Sequence, residues 1–325
     1  MHDGVALKTI SMPISLLERF LGWSRLVSRL LRFGVRVATA IDETHAIICI
    51  GNTLYEEDIE RGTFSNGWYC GEGIRPLFMT TVKDIAGFED GLYFGGYLMN
   101  REKKLVHIYH RTGIDKWDIA YTFPEGTINH VHNVVADPYR QCFWIFTGDF
   151  DESAAIWKVT NGFQNVERVA CNDQKYRGCV VNVLPEGLLY ATDAPYADNY
   201  IYMMNPETFE TKPVFPLHGS CIYGCQWKDK YVFSSTVEGD GRTSGHLRLF
   251  YHGNRGIGIK DDFVHLYSGN LKDGFSEIYK EKKDYLSFLF QFGVFKFPSG
   301  VNNTDTLYFQ PMATNKNDLR LLAVK

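Results

Sequence analysis

No run of 18 apolar residues occurs in this 325-residue chain, so no transmembrane helix is expected. The apolar stretch near the N-terminus is interrupted by Glu18, Arg19 and Arg25, unlike a secretory signal, and the expected location is cytoplasmic. Positive charge is not in excess. With 34 Lys+Arg against 38 Asp+Glu the net charge is −4, which argues against nucleic acid as the main partner, since phosphate binding needs a positive field. The seven cysteines form no C-x-x-C pair and are odd in number; several sit in apolar runs, where Cys acts as a small hydrophobe, and a reducing compartment is the simpler reading. There is no G-x-S-x-G, no H-E-x-x-H and no P-loop. "GEGIRP" (71–76) lacks the strand–turn–helix context of a dinucleotide fingerprint.

What the chain does have is aromatic and strand-like. Aromatics make up 15% of it, with 19 Tyr and 23 Phe, which favours β-rich packing. Six segments share a polar turn running into a strand: "ETHAIICIGN", "EDGLYFGGY", "RQCFWIFTGD", "PEGLLYATDA", "KDKYVFSST" and "KKDYLSFLF". Each is preceded by a further strand, the last by "FSEIYKEK", and the unit recurs about every 45 residues, the signature of propeller blades. The expected fold is all-β: a single β-propeller over 35–325, of six blades or, depending on where "TLYFQPMATNKNDLRLLAVK" belongs, seven.

One segment breaks the pattern. In "SLLERFLGWSRLVSRLLRF" (15–33), Leu16, Phe20, Trp23, Val27, Leu30 and Leu31 recur at helical spacing, and Ser15 with Glu18 suits a capping box. The spacing predicts an N-terminal amphipathic helix within an N-terminal segment, 1–34, docked by its apolar stripe on the propeller. Its basic side, Arg19, Arg25, Arg29 and Arg32, leaves peripheral membrane contact as the other reading.

An antiparallel blade sorts its loops by face. Compact turns lie at one end. The longer loops "GYLMNREKK", "TGDFDES", "TDAPYADN" and "TVEGDGRTSGH", and the connections "PEGTINH", "NDQKYRG" and "LHGS", lie at the other, which is therefore the candidate binding face. "TVEGDGRTSGH" reads as a lid. His130 and His132, in "HVHNVVADPY", open the innermost strand of blade three at that end. Two apart, they share a strand face toward the channel. Three readings compete: ligands of a divalent metal, with a third ligand from Asp149, Asp151 or His218; an acid–base group beside Tyr176 and Arg177; or structural hydrogen bonding between blades.

The six-fold repeat, together with "HRTGIDKWDIAYTF" (110–123), resembles the sialidase-like propellers with bacterial neuraminidase repeats. The Asp-box spacing is not met, and none of Arg75, Arg177 and Arg242 stands in a sialidase motif, so the family's arginine triad is not carried over. The H-x-H pair is also similar to one that some propeller-fold polysaccharide lyases place on a metal. What the resemblance implies is a carbohydrate-active enzyme, a lyase or glycoside hydrolase on an acidic oligo- or polysaccharide. The catalytic candidates are His130, His132, Tyr176 and Asp149. Arg177, Asp193, Arg75, Tyr223 and Asn199 are the substrate-binding candidates. The rival reading is a non-catalytic propeller that binds a glycan or a protein.

Overall fold

The computed structural model describes residues 10–240 and 254–325. Six sheets follow one another along the chain, antiparallel except where Val301–Asn302 pairs in parallel with Cys221–Trp227, and the fold is a six-bladed β-propeller. Blade three shows how sequence makes a blade. Its four strands, His130–Asp137, Cys142–Gly148, Ala155–Thr160 and Asn165–Cys171, pair in chain order from the channel outward. The second strand, "CFWIFTG", is buried at every position, because both of its faces meet neighbouring blades. The outermost strand has no fully buried residue and carries the polar half of the pattern. Aromatic side chains fill the wedge between blades: Phe123 meets Trp157 between blades two and three, and Phe146 meets Tyr190 between blades three and four.

Five of the six blade interfaces hold such an apolar cluster. Between blade six and blade one the described residues form none. A cavity of about 490 Å³ lies there instead, lined by Val35 and Ile50 of blade one, Met312 and Leu319 of blade six, and Ile14 and Trp23 of the N-terminal segment. Among the described residues no strand is shared between the first and last blades; a backbone bond from Ser299 N–H to Ala38 O, 2.8 Å, joins them.

The sequence period slips at one place. "FSEIYKEK", expected as the inner strand of blade six, belongs to Gly274–Lys282, the outer strand of blade five. "KKDYLSFLF" gives its first residue, Lys282, to that strand and beyond it contributes a 3₁₀ turn at Phe288–Phe290 and no regular strand. Among the described residues blade six is built from Val294–Lys296, Leu307–Met312 and Leu322–Val324, so "TLYFQPMATNKNDLRLLAVK" belongs to the sixth blade and the described residues form no seventh. The cause is the long connection after Ser235: the third strand of blade five starts only at Phe263.

The N-terminal segment forms two short helices, α1 (Leu16–Leu21) and α2 (Arg25–Leu30). The capping box is present: Ser15 Oγ accepts from Glu18 N–H, and Glu18 Oε2 accepts from Ser15 N–H at 2.9 Å. Gly22 ends α1, and Ser24 caps α2 by accepting from Val27 N–H, so a new N-cap interrupts the continuous apolar period. Leu16, Leu17, Phe20 and Trp23 are exposed, and the only fully buried residue of the two helices is Arg29. It donates through Nε to Phe290 O at 2.7 Å and pairs with Asp284 and Asp318 of the blade-six region. Among the described residues no helix is long and apolar enough to cross a membrane.

Candidate functional site

Four inner strands carry the same irregularity. The register slips between Val35 and Val37, Val131 and Asn133, Gly178 and Val180, and Cys221 and Tyr223. Each bulge leaves one residue unpaired, namely Arg36, His132, Cys179 and Ile222, and a bulge re-aims the side chain it carries. A second set of equivalent positions lies just past the second strands, where Tyr97, Asp149, Asp193 and Glu238 follow Gly91–Gly95, Cys142–Gly148, Gly187–Thr192 and Lys230–Ser235. Bulge residues and post-strand residues converge at one end of the channel.

His130 and His132 are almost wholly buried. Nδ1 of His130 lies 2.8 Å from Leu98 O, and Nδ1 of His132 lies 3.2 Å from Gly178 O. A carbonyl only accepts, so both imidazoles carry a proton on Nδ1 and donate it. In the neutral rings each Nε2 then presents a lone pair, and the two Nε2 atoms face each other at 3.0 Å. Two acceptors at that distance need a shared proton or a cation between them. Asp149 adds the third donor: its Oδ1 lies 3.3 Å from His130 Nε2 and 3.5 Å from His132 Nε2. These ligand atoms all lie within 4.8 Å of one another, and His132, Cys179 and Asp193 form a second such group. Two imidazoles and a carboxylate suit a divalent transition metal, and an Nδ1–H held by a backbone carbonyl is the usual outer support of a metal-binding histidine.

Arg177 joins the two carboxylates. Its Nη2 lies 3.0 Å from Asp149 Oδ1 and 3.2 Å from Asp193 Oδ2. Burial works against the charge of Asp149, but the side chains of His130 and His132 against it, to the extent that they carry a proton on Nε2, and then Arg177 hold it well below the usual carboxylate range. Burial likewise opposes charge on Arg177, and Asp193 and Asp149 outweigh it. Asp193 Oδ1 is buried with no hydrogen-bond partner among the described residues, an acceptor left unused. Burial lowers His132, favouring the neutral ligand form, and pushes the Cys179 thiol well up. Glu238 sits beside this network. Burial first, then Asp193, pushes its carboxyl up to about 7, and Thr236 Oγ1 donates to its Oε1 at 3.1 Å. At the rim, Phe150 lies over the Arg177 guanidinium at 5.2 Å and beside Tyr196 at 5.9 Å, and both rings are exposed.

Of the residues singled out from sequence, His130, His132, Asp149, Arg177 and Asp193 meet in one cluster. Tyr176 does not join it: its ring packs in the apolar cluster between blades three and four, under Lys175. Asn199 is buried and fully used by its own loop, accepting from Thr192 Oγ1 and Ala194 N–H and donating to the carbonyls of Ala194 and Ala197. Arg75 and Tyr223 line a neighbouring part of the channel. Of the alternative third ligands, Asp151 sits exposed on a 3₁₀ turn, and His218 is taken by Tyr267 and stacks on His265. Arg242 and the distal part of the expected lid lie outside the described residues. Tyr97, Cys179 and Glu238 were not singled out, although "GGY", "TGD", "TDA" and "TVE" mark one equivalent position in four blades.

No protein-family model and no curated protein matches the chain. Among solved structures it is similar to an oligogalacturonate lyase from Vibrio parahaemolyticus, at 13% identity and a TM-score of 0.46, over 76% of this chain and 65% of that one. TolB from Acinetobacter baumannii matches at 10% identity and a TM-score of 0.47, over 79% of this chain and 56% of that one. The Neurospora crassa Pan2 WD40 domain matches at 12% identity and a TM-score of 0.47, over 87% of this chain and 77% of that one. The chain thus spans about two thirds of the lyase's length. These likenesses concern the propeller fold. They do not single out the sialidase-like branch.

Proposed function

We propose that the protein is a metal-dependent carbohydrate-active enzyme, a polysaccharide lyase or glycoside hydrolase acting on an acidic glycan. His130, His132 and Asp149 would hold a divalent metal. The observation that carries the reading is the pair of Nε2 lone pairs facing each other at 3.0 Å beside a carboxylate. A bound divalent ion supplies Lewis acidity and an anchor for an anionic group. Charge balance supports an acidic ligand. With Glu238 protonated, Arg177 against Asp149 and Asp193 leaves one net negative charge, a dication reverses its sign, and an anionic ligand offsets the excess. Arg177 orients Asp149. Glu238, able to keep its proton near neutral pH, would protonate a leaving oxygen, and the exposed Phe150 and Tyr196 rings would offer a stacking surface for a sugar.

The near-complete burial of His130, His132 and Arg177 supports the second reading, a non-catalytic propeller in which the same centre clasps blades three and four. Metal content of the purified full chain and its His132→Ala variant separates metal from shared proton: stoichiometric metal in the former and none in the latter is expected, and a metal-free wild type that gains nothing from added Mn²⁺, Zn²⁺ or Ca²⁺ rejects the metal. Turnover on a panel of acidic glycans separates the two functions. Unsaturated ends denote a lyase, reducing ends without unsaturation a hydrolase, and binding without either product the non-catalytic reading.

A further inference from the structure

Toward blades five, six, one and two the channel lining changes sign. Arg36 is the bulge residue of blade one, Arg75 precedes blade two, Lys296 ends the inner strand of blade six, and Arg32 follows α2. With Tyr97 and Tyr223 they line a compact cavity of about 80 Å³. Among the described residues no carboxylate pairs with any of the four cations. Arg36 Nε is buried without a hydrogen-bond partner. The Lys296 ammonium has no acceptor among the described residues and rests 5.9 Å from the centre of the Tyr223 ring. The Arg75 guanidinium lies over the Tyr97 ring at 5.2 Å. Burial, then Arg75, pushes Arg36 down to about 10, and burial followed by the three arginines pushes Lys296 down to about 8.

Buried charges in folded proteins are ordinarily paired. Arg32 is exposed and donates to Gln291 Oε1 at 3.3 Å, but Arg36, Arg75 and Lys296 are half-buried round one cavity, where they repel one another and lose part of their hydration, a loss that an anionic ligand would offset. We propose that this cavity is a binding site for a phosphate dianion, either free or as the terminal group of a sugar phosphate. A single carboxylate would leave most of the positive charge unbalanced. A phosphoryl group brings two charges and several acceptor oxygens, which guanidinium groups match through paired, charge-assisted bonds. The tyrosines hem the ion in and separate it from the histidine centre: the Tyr97 ring lies between Arg75 and His130, whose ring is 4.5 Å away. The site is independent of the metal reading.

The test uses the full chain, stripped of metal with a chelator and desalted, so that phosphate cannot report on the histidine centre. Melting temperature and calorimetric affinity are measured with inorganic phosphate, glucose 6-phosphate, galacturonate and sodium chloride at matched ionic strength. Phosphate is expected to raise the melting temperature well beyond chloride. The tighter binder of inorganic phosphate and glucose 6-phosphate identifies the source of the group. Lys296→Met and Arg75→Gln should each weaken phosphate by about tenfold or more. Both should also melt higher than wild type without ligand, because each removes a repelling charge, a signature that mere misfolding cannot imitate. A phosphate response no larger than that of chloride, one that survives both substitutions, or tighter binding of galacturonate than of phosphate overturns the proposal.

Discussion

Glu238 carries a carboxyl where burial and Asp193 both penalise its charge, and its pKa rises to about 7. The folded state therefore binds a proton that the unfolded chain has released. Between the ordinary glutamate range and pH 7 stability should fall as pH rises, by up to about 3 kcal/mol from a shift of this size. Glu238→Gln removes the ionisation while keeping an acceptor for Thr236. The variant should match wild type near pH 4.5 and exceed it near pH 8, as read from denaturant midpoints across that range. A parallel pH dependence in the two proteins would remove Glu238 from the titrating groups. Val131 behaves as its alternation with the histidines predicts: it is buried in the cluster between blades two and three, and Val131→Ala should cost about 2 kcal/mol by opening a cavity.

At the scale of the element, close backbone approach makes the site. A Cβ at Gly148 would stand 2.3 Å from His132 Nε2, and one at Gly95 would stand 2.2 Å from Val131 Cγ1. Both glycines therefore act through the space they leave. Gly148→Ala should push His132 aside and abolish the proposed metal binding with a modest stability loss. Gly95→Ala should mainly destabilise, and melts paired with metal titrations distinguish them. The helical segment offers a different case. Arg29 is enclosed with Asp284 and Asp318, so Arg29→Ala leaves the two buried carboxylates with only Lys283 and Arg25, respectively, as cationic partners. The expected cost is about 2–3 kcal/mol, below that of a wholly uncompensated buried charge, and a double-mutant cycle with Asp284→Asn should be strongly non-additive. Much of this level was hidden in the sequence. Apolar spacing ran straight through Gly22, masking the break between α1 and α2. A bulge leaves no mark in composition, so Arg36 and Cys179 looked like ordinary members of alternating strands. The convergence of His130, His132, Asp149 and Asp193 at one end of the channel was legible because polar residues at strand ends beside long loops stand out against the buried pattern. Tyr176 misled because adjacency to Arg177 in sequence does not place two side chains on one face.

For the whole molecule, the six-fold period was readable because every blade repeats a polar turn followed by a buried second strand. It failed only where the connection between Ser235 and Phe263 stretched one blade and shifted the next. The ring itself is uneven. Apolar clusters hold five interfaces, while blades six and one meet across a cavity of about 490 Å³ with a backbone bond from Ser299 to Ala38. A closed ring is as strong as its poorest joint. Opening should begin there, like a split washer, and native-state hydrogen exchange should show the amides of Val35–Ala40 and Leu307–Met312 releasing before those of blades three and four. The basic cavity spans the same joint, with Arg36 on one side and Lys296 on the other. An anion between them would act as a keystone, so that occupancy of one small pocket sets how tightly the entire circle stays shut.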